Sequence, residues 1–179
     1  MVDTHHLTAI LDDLLLAVDP RGSAGDQFVR LPLLVQQAVE SARPLADEQG
    51  VTIAYATITR QPPVVGVPAG LRRAVTALVD DAIRHARQQV RVSTAIAGRD
   101  VVIDVADDGP GIEPDMVSTM FDRFATSSVL AAAPPEGRQR YGLGLALVSE
   151  IAHQHGGSVS VVHTDLDGVT PRLRLPAGL

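Results

Sequence analysis

Two glycine pairs and one helical stripe stand out in this chain as residues whose types and spacing could do chemistry. The first pair lies in Asp107-Asp108-Gly109-Pro110-Gly111-Ile112, directly after the alternating run Val101 to Ala106. A carboxylate at a strand end, then glycines in alternation, lets the backbone turn sharply and approach a ligand closely. A buried acceptor such as Asp107 suits the exocyclic amine of adenine. The same residues would also serve as an ordinary turn. The second pair, in Gly142-Leu143-Gly144-Leu145-Ala146-Leu147-Val148, opens a helix. Free N–H groups and the positive end of the helix dipole make such a start a seat for phosphate. Close helix packing is the other use for such glycines, and no Gly-Lys-Ser/Thr follows to make a P-loop.

The stripe is Ala77, Asp81 and Arg84, at helical spacings of four and three. Asp81 could supply one oxygen to an octahedral Mg²⁺ whose other ligands are phosphates and water. Arg84, one turn on, could meet phosphate oxygens. An exposed Asp–Arg pair of little energetic weight is the bland alternative. His85 follows Asp81 by four residues, but with no third ligand in view it reads as a packed or hydrogen-bonded histidine.

These residues need elements to position them, and hydrophobic periodicity supplies those. Apolar positions at Leu7, Ile10, Leu11, Leu14, Leu15 and Val18 predict a short first helix, broken by Pro20, Gly22, Ser23 and Gly25. Leu34, Val35, Ala38, Val39, Ala42 and Leu45 predict a second over about 32–48, with Gly50 as its C-terminal cap. Val51, Ile53, Tyr55 and Ile58 start a strand that Pro62, Pro63, Gly66 and Pro68 interrupt. Residues 69–86 carry the stripe on a third helix. Val90, Val92 and Ile96, then Val101, Ile103 and Val105, alternate as two strands around a Gly98-Arg99-Asp100 turn. A short helix is expected around 116–121 and an aperiodic stretch over 125–140. A long helix follows from about Gly142 to His155, then two last strands holding Val159 and Val161, and Leu173 and Leu175. Ser158, Ser160, Arg172 and Arg174 at alternate positions give those strands one wet face. The expected fold is therefore a two-layer α/β sandwich: a mixed, mainly antiparallel sheet covered on one face by about three helices.

Composition narrows the function. The formal net charge of -6 argues against a nucleic-acid partner. It does not bar a polyanionic ligand held by backbone N–H groups. With no cysteine there is neither a disulfide scaffold nor a Cys-based metal site. No apolar run reaches membrane length and the start has no signal-peptide pattern, so a cytosolic location without membrane contact is expected.

The order of the motifs is more specific than any one of them. The helix stripe, the Asp-x-Gly-x-Gly turn, Phe121-Asp122-Arg123-Phe124, Gly-Leu-Gly-Leu, His155-Gly156-Gly157 and Leu175-Pro176 follow one another at consistent spacing. From about Val29 to Pro176 the chain resembles the ATP-binding catalytic domain of sensor histidine kinases, within the wider Bergerat-fold ATPases. The resemblance implies that Asp107 reads adenine, that Gly109 and Gly111 form the turn beneath the base, and that Ile112 and Leu145 are apolar pocket walls. It further implies Gly142 and Gly144 at the triphosphate, Arg123 as a positive charge there, residues 125–141 as an ATP lid, and Thr170 near the adenine site. The implied ligands are ATP and Mg²⁺, and the implied partners are a dimerisation and phospho-acceptor segment and a response regulator. Residues 1–25 resemble the end of a dimerisation helix with its linker, and 26–179 the catalytic domain, as the cytosolic part of a sensor that is itself soluble or membrane-bound.

Two departures from that family shape what is expected. Its helix stripe usually carries two asparagines, the second binding Mg²⁺, where this chain has Ala77 and Asp81. Hydrolytic branches place a general-base glutamate at the position of Ala77, so efficient intrinsic ATP hydrolysis is not expected. The second departure is that no phospho-acceptor context follows His5-His6. Three functions stay open on the sequence: phosphoryl transfer to a histidine on another segment, a degenerate nucleotide-sensing or partner-docking module, and an anti-sigma-factor serine kinase of the same fold.

Overall fold

The structure is a computed structural model that describes residues 25–58, 60–112 and 143–178. The predicted first helix, the short helix near 116–121 and the aperiodic stretch lie outside the described residues. The elements run β1 (Gln27–Val29), α1 (Leu31–Gln49), β2 (Thr52–Thr57), β3 (Val64–Gly66), α2 (Pro68–His85), β4 (Gln89–Ala97), β5 (Asp100–Asp107), α3 (Leu143–Gln154), β6 (Ser158–Val162) and β7 (Thr170–Pro176). The main sheet has the order β2-β4-β5-β7-β6, parallel only between β2 and β4. This is the mixed, mainly antiparallel sheet that the alternation predicts.

The core forms where the apolar faces of α1, α2 and α3 meet one face of this sheet. Leu34, Val35, Ala38 and Val39 of α1 and Leu71, Val75, Leu78 and Val79 of α2 are buried with Val90, Val92, Val101, Ile103, Val105, Leu173 and Leu175 of the strands. The other sheet face is wet and carries cross-strand ion pairs. Arg172 donates to both carboxylate oxygens of Asp104 at 2.7 Å, and Arg174 to Asp100 at 3.2 Å. Thr94 takes a core-side position in β4, its hydroxyl bonded to Thr57 (2.6 Å) and Gln61 (2.8 Å). Among the described residues, no helix is long and apolar enough to cross a membrane.

One element is absent from the sequence reading. β1 and β3 pair antiparallel as a small second sheet, Phe28 opposite Val65. Strands of three residues are too short for periodicity to show, and the prolines around β3 read only as breaks.

His155, read as a helix-end residue, fastens α3 to α2. Its Nδ1–H donates to the Ile151 carbonyl (2.7 Å), and its Nε2 accepts from the Val67 N–H (3.0 Å) at the start of α2. That helix has no side-chain N-cap of its own. Gly66 leaves room for the ring, since a Cβ there would collide with it. His155→Ala should therefore lower the unfolding free energy by about 2–3 kcal/mol, measurable as a shifted urea midpoint with unchanged slope.

Candidate functional site

The site is built around the last residue of β5. Val101, Ile103 and Val105 face the helices, so the two-residue period puts Asp107 on the same side. There it is 3% exposed. A carboxylate so placed needs donors, and the backbone provides them: Gly109 N–H at 2.8 Å and Val169 N–H at 3.3 Å, both to Oδ1. The pairing is completed by the Asp107 N–H donating to the Val169 carbonyl at 3.1 Å. Burial raises the Asp107 carboxyl above the ordinary carboxylate range. The Gly109 and Val169 donors and the nearby His85 pull it back, while the Asp81 charge pushes it further up. Two glycines make this arrangement possible. A Cβ on Gly109 would run into the His85 carbonyl and Asp107 Oδ1, and one on Gly168 would run into Asp107 Oδ1, the Asp107 carbonyl and the Gly109 nitrogen.

Asp108 has the opposite role. Its side chain caps the turn into β4, Oδ1 accepting from the N–H groups of Arg87 (2.8 Å), Gln88 (3.1 Å) and Gln89 (3.1 Å). Desolvation raises its carboxyl, but the Gln88, Gln89 and Arg87 donors together outweigh that and hold it below the ordinary range. A depressed carboxylate adds stability above its unfolded pKa, and that contribution is lost as pH falls through the folded value. Asp108→Asn should accordingly flatten the acid limb of the stability curve below about pH 4, seen by urea unfolding across pH.

On α2 the residues that reach this cluster are four apart. Asp81 lies under His85, with Oδ1 to Nε2 at 3.7 Å and side chains 16% and 9% exposed, and both bear on the Asp107 carboxyl. Ala77, one turn back, faces the start of α3, where a Cβ on Gly144 would touch the Ala77 methyl at 3.6 Å. Leu145 is buried and Ile112 packs against the core. Gly111 turns the chain at φ 76.

The structure does not bring every predicted residue to this place. Arg84 is exposed, and its charge acts on Asp80, four residues earlier, whereas Asp81 and His85 lie beside Asp107. Asp80 is itself raised by burial, lowered by Arg84 and raised by Asp81. Thr170 also departs from expectation. Val169 pairs with Asp107 and points into the core, so Thr170 falls on the opposite sheet face, its hydroxyl 3.0 Å from that of Thr164. Gly142 and Arg123, with residues 125–141, lie outside the described residues. Gly168 and Val169 are the contributors that the sequence reading missed. Their one local signal is the Asp167-Gly168 dipeptide ahead of the last strand. Among the described residues no group of three or more His, Cys, Asp or Glu could hold a metal by itself.

A buried acceptor at a strand end, glycine-lined on both sides and flanked by a polar helix stripe, defines a class of nucleotide-binding domain. The chain belongs to the histidine kinase-, DNA gyrase B- and HSP90-like ATPase family, whose profile matches residues 66–179. Within it, the chain is an ATP-binding catalytic domain of the sensor histidine kinase type. It is 36% identical to the sensor histidine kinase GtrS of Pseudomonas aeruginosa over 151 residues, 84% of this chain and 29% of that protein. The crystal structure of the ATP-binding domain of PrrB from Mycobacterium tuberculosis superposes with a TM-score of 0.69 at 27% identity, covering 87% of this chain and all of that one. Full-length ShkA in complex with AMPPNP gives 0.72 at 28% identity, over 96% of this chain and 35% of that one. The chain thus spans less than a third of GtrS, and 18% of the sensor kinase AfsQ2 of Streptomyces coelicolor.

Proposed function

We propose that this domain holds Mg²⁺-ATP and presents its γ-phosphate to a histidine on a separate dimerisation segment, which then serves a response regulator. The observation that carries the reading is the buried Asp107 carboxylate. With Oδ1 occupied by two backbone N–H groups, its other oxygen is the natural acceptor for the adenine amine. The AMPPNP bound by ShkA supports a nucleotide in this fold, and the sensor-kinase relatives favour histidine over the serine of an anti-sigma-factor kinase.

The described residues fit a Mg²⁺ ion that arrives with the nucleotide. Asp81 offers one partly exposed carboxylate, and among the described residues no cage of protein ligands surrounds it. An ion keeping its waters and phosphate oxygens suits such a site. Mg²⁺ supplies charge neutralisation on the phosphates when bound. The chain's own part is positional: Asp107 fixes the base, Gly144 lets the start of α3 come close to α2, and the helix start offers N–H groups to the phosphates. The nucleophile is the acceptor imidazole, so no residue of this domain forms a covalent bond. Ala77 cannot activate water, which favours transfer over hydrolysis.

Asp81→Ala should remove the Mg²⁺ dependence of ATP binding. Metal-free affinity should hold or rise, because a negative charge beside the triphosphate is gone. Calorimetry with and without Mg²⁺ reads both; an unchanged Mg²⁺ dependence would take the metal away from Asp81. The transfer reading is tested by mixing the domain with a purified acceptor-helix domain and γ-labelled ATP. Acid-labile label on the acceptor histidine is expected, and no transfer at high enzyme would contradict it. A second reading, nucleotide sensing without turnover, draws on Ala77 and Asp81 standing where asparagines are usual. Under it Asp81→Asn would raise transfer from nothing; under the first it would lower an existing rate.

A further inference from the structure

The wet face of the main sheet has a dry end, directly behind the nucleotide site. Ala106 and Thr170 are 4% and 2% exposed, although alternation turns both away from the helices. The register that pairs Asp104 with Arg172 and bonds Asp107 to Val169 sets these two residues opposite each other. Arg91 of β4 stands on the other side of Ala106. The connection from β6 to β7, residues 163–169, is held against this end of the face.

Two contacts hold it there. Thr164 Oγ1 lies 3.0 Å from Thr170 Oγ1 and accepts the Leu166 N–H at 3.4 Å. Arg91 Nη1 donates to both carboxylate oxygens of Asp165, at 2.7 and 2.9 Å. In the sheet β4 is two strands beyond β7, about 10 Å away. The ion pair therefore ties the loop across the face rather than leaving it over its own hairpin.

The same loop touches the nucleotide site with its far end. A Cβ on Gly111 would come within 3.5 Å of the Asp167 carbonyl, and one on Gly168 would strike the Asp107 carboxylate. The Val169 N–H donates to Asp107 Oδ1 at 3.3 Å. The other donor to that oxygen, Gly109, is two residues from Asp107 and is placed by the local turn. Val169 arrives from 62 residues away, so its bond depends on where the loop sits.

We infer that Arg91, Asp165 and Thr164 are positioning residues for nucleotide binding: they hold residues 163–169 on the sheet and so keep Gly168 and Val169 closed on Asp107. The inference rests on the reading of Asp107 as the base acceptor. With the loop closed, Oδ1 is occupied and the other oxygen is left for the base. With the loop lifted, the carboxylate loses one of its two donors, and the fraction of molecules ready for ATP falls. An exposed ion pair contributes little by itself. Its weight here comes from acting with the Thr164 hydroxyl on one loop.

Calorimetry with Mg²⁺-ATP, together with exchange of the Val169 amide followed by NMR, tests this. In Arg91→Gln/Thr164→Val the Kd should rise about threefold to tenfold, and the Val169 amide should exchange about tenfold faster. Arg91→Asp/Asp165→Arg keeps the pair with its charges exchanged and should hold both values near the parent's. Thr164→Ser keeps the hydroxyl and should do the same. Arg174→Gln cuts the pair with Asp100 at the far end of the same face and should change neither. Parent-like affinity and exchange in Arg91→Gln/Thr164→Val would overturn the inference. So would an equal loss of affinity in Arg174→Gln, or a loss that leaves Val169 exchange unchanged. A parent that binds no ATP would remove the nucleotide reading, and the inference with it.

Discussion

Asp107→Asn should lose nucleotide affinity by roughly 100-fold or more, about 3 kcal/mol, while the unliganded domain stays as stable as the parent or becomes more so. The two halves of this result have one geometric cause. Oδ1 of residue 107 is held by the N–H groups of Gly109 and Val169. An asparagine keeps those bonds only by placing its carbonyl there, which turns its NH₂ toward the adenine amine and sets donor against donor. The unliganded fold responds differently. Burial raises the Asp107 carboxyl above its ordinary value, so the ionised form burdens the folded state. For a raised carboxyl the stabilising contribution is complete below the unfolded pKa, about 4, and is lost as pH rises through the folded value. The asparagine has no such loss. Urea unfolding should place the variant level with or above the parent at pH 7, with the difference shrinking toward acid. Lower stability at neutral pH would mean that the side chain is needed for folding rather than for a ligand.

Gly168→Ala should damage fold and site together. The added methyl would meet the Asp107 carboxylate and carbonyl and the Gly109 nitrogen, two of them backbone atoms that no rotamer change can move. Relief requires separating the loop before β7 from the end of β5, which breaks the Val169–Asp107 pairing. A loss of about 2–4 kcal/mol in unfolding free energy is expected, with ATP binding lost at temperatures where the fold survives. Gly70→Ala is the matched control. It lies in the first turn of α2, its Cβ would find nothing nearer than 3.8 Å, and glycine-to-alanine in a helix should stabilise by about 0.5–1 kcal/mol.

The contrast between these two glycines shows what a sequence makes legible. Asp107, Gly109 and Gly111 could be read because strand, carboxylate and turn are contiguous. The α1, α2 and α3 helices and the five strands of the main sheet could be read because each repeats its period several times. Gly168 and Val169 could not, since their importance comes from a register between β5 and β7 that no local pattern encodes. Arg84 was ambiguous for a different reason. It is three residues from Asp81 and four from Asp80, and both spacings put side chains on neighbouring helix faces. Half-burial of Asp80 beside Arg84 and the approach of Asp81 to His85 separate the two, and both depend on tertiary packing. Thr170 is different again. Leu173 and Leu175 point into the core, so strict alternation puts residue 170 on the other sheet face, where it is buried.

The most direct test of the site is calorimetric titration of the unmodified domain with ATP and with GTP, each with and without Mg²⁺. A site in which Asp107 accepts from the base favours adenine's amine and repels the carbonyl that guanine presents there, and Asp81 makes the metal strengthen binding. Saturable ATP binding, tightened by Mg²⁺ and at least about tenfold stronger than that of GTP, is the expected result. No ATP binding in either condition, or equal affinity for the two nucleotides, would contradict it.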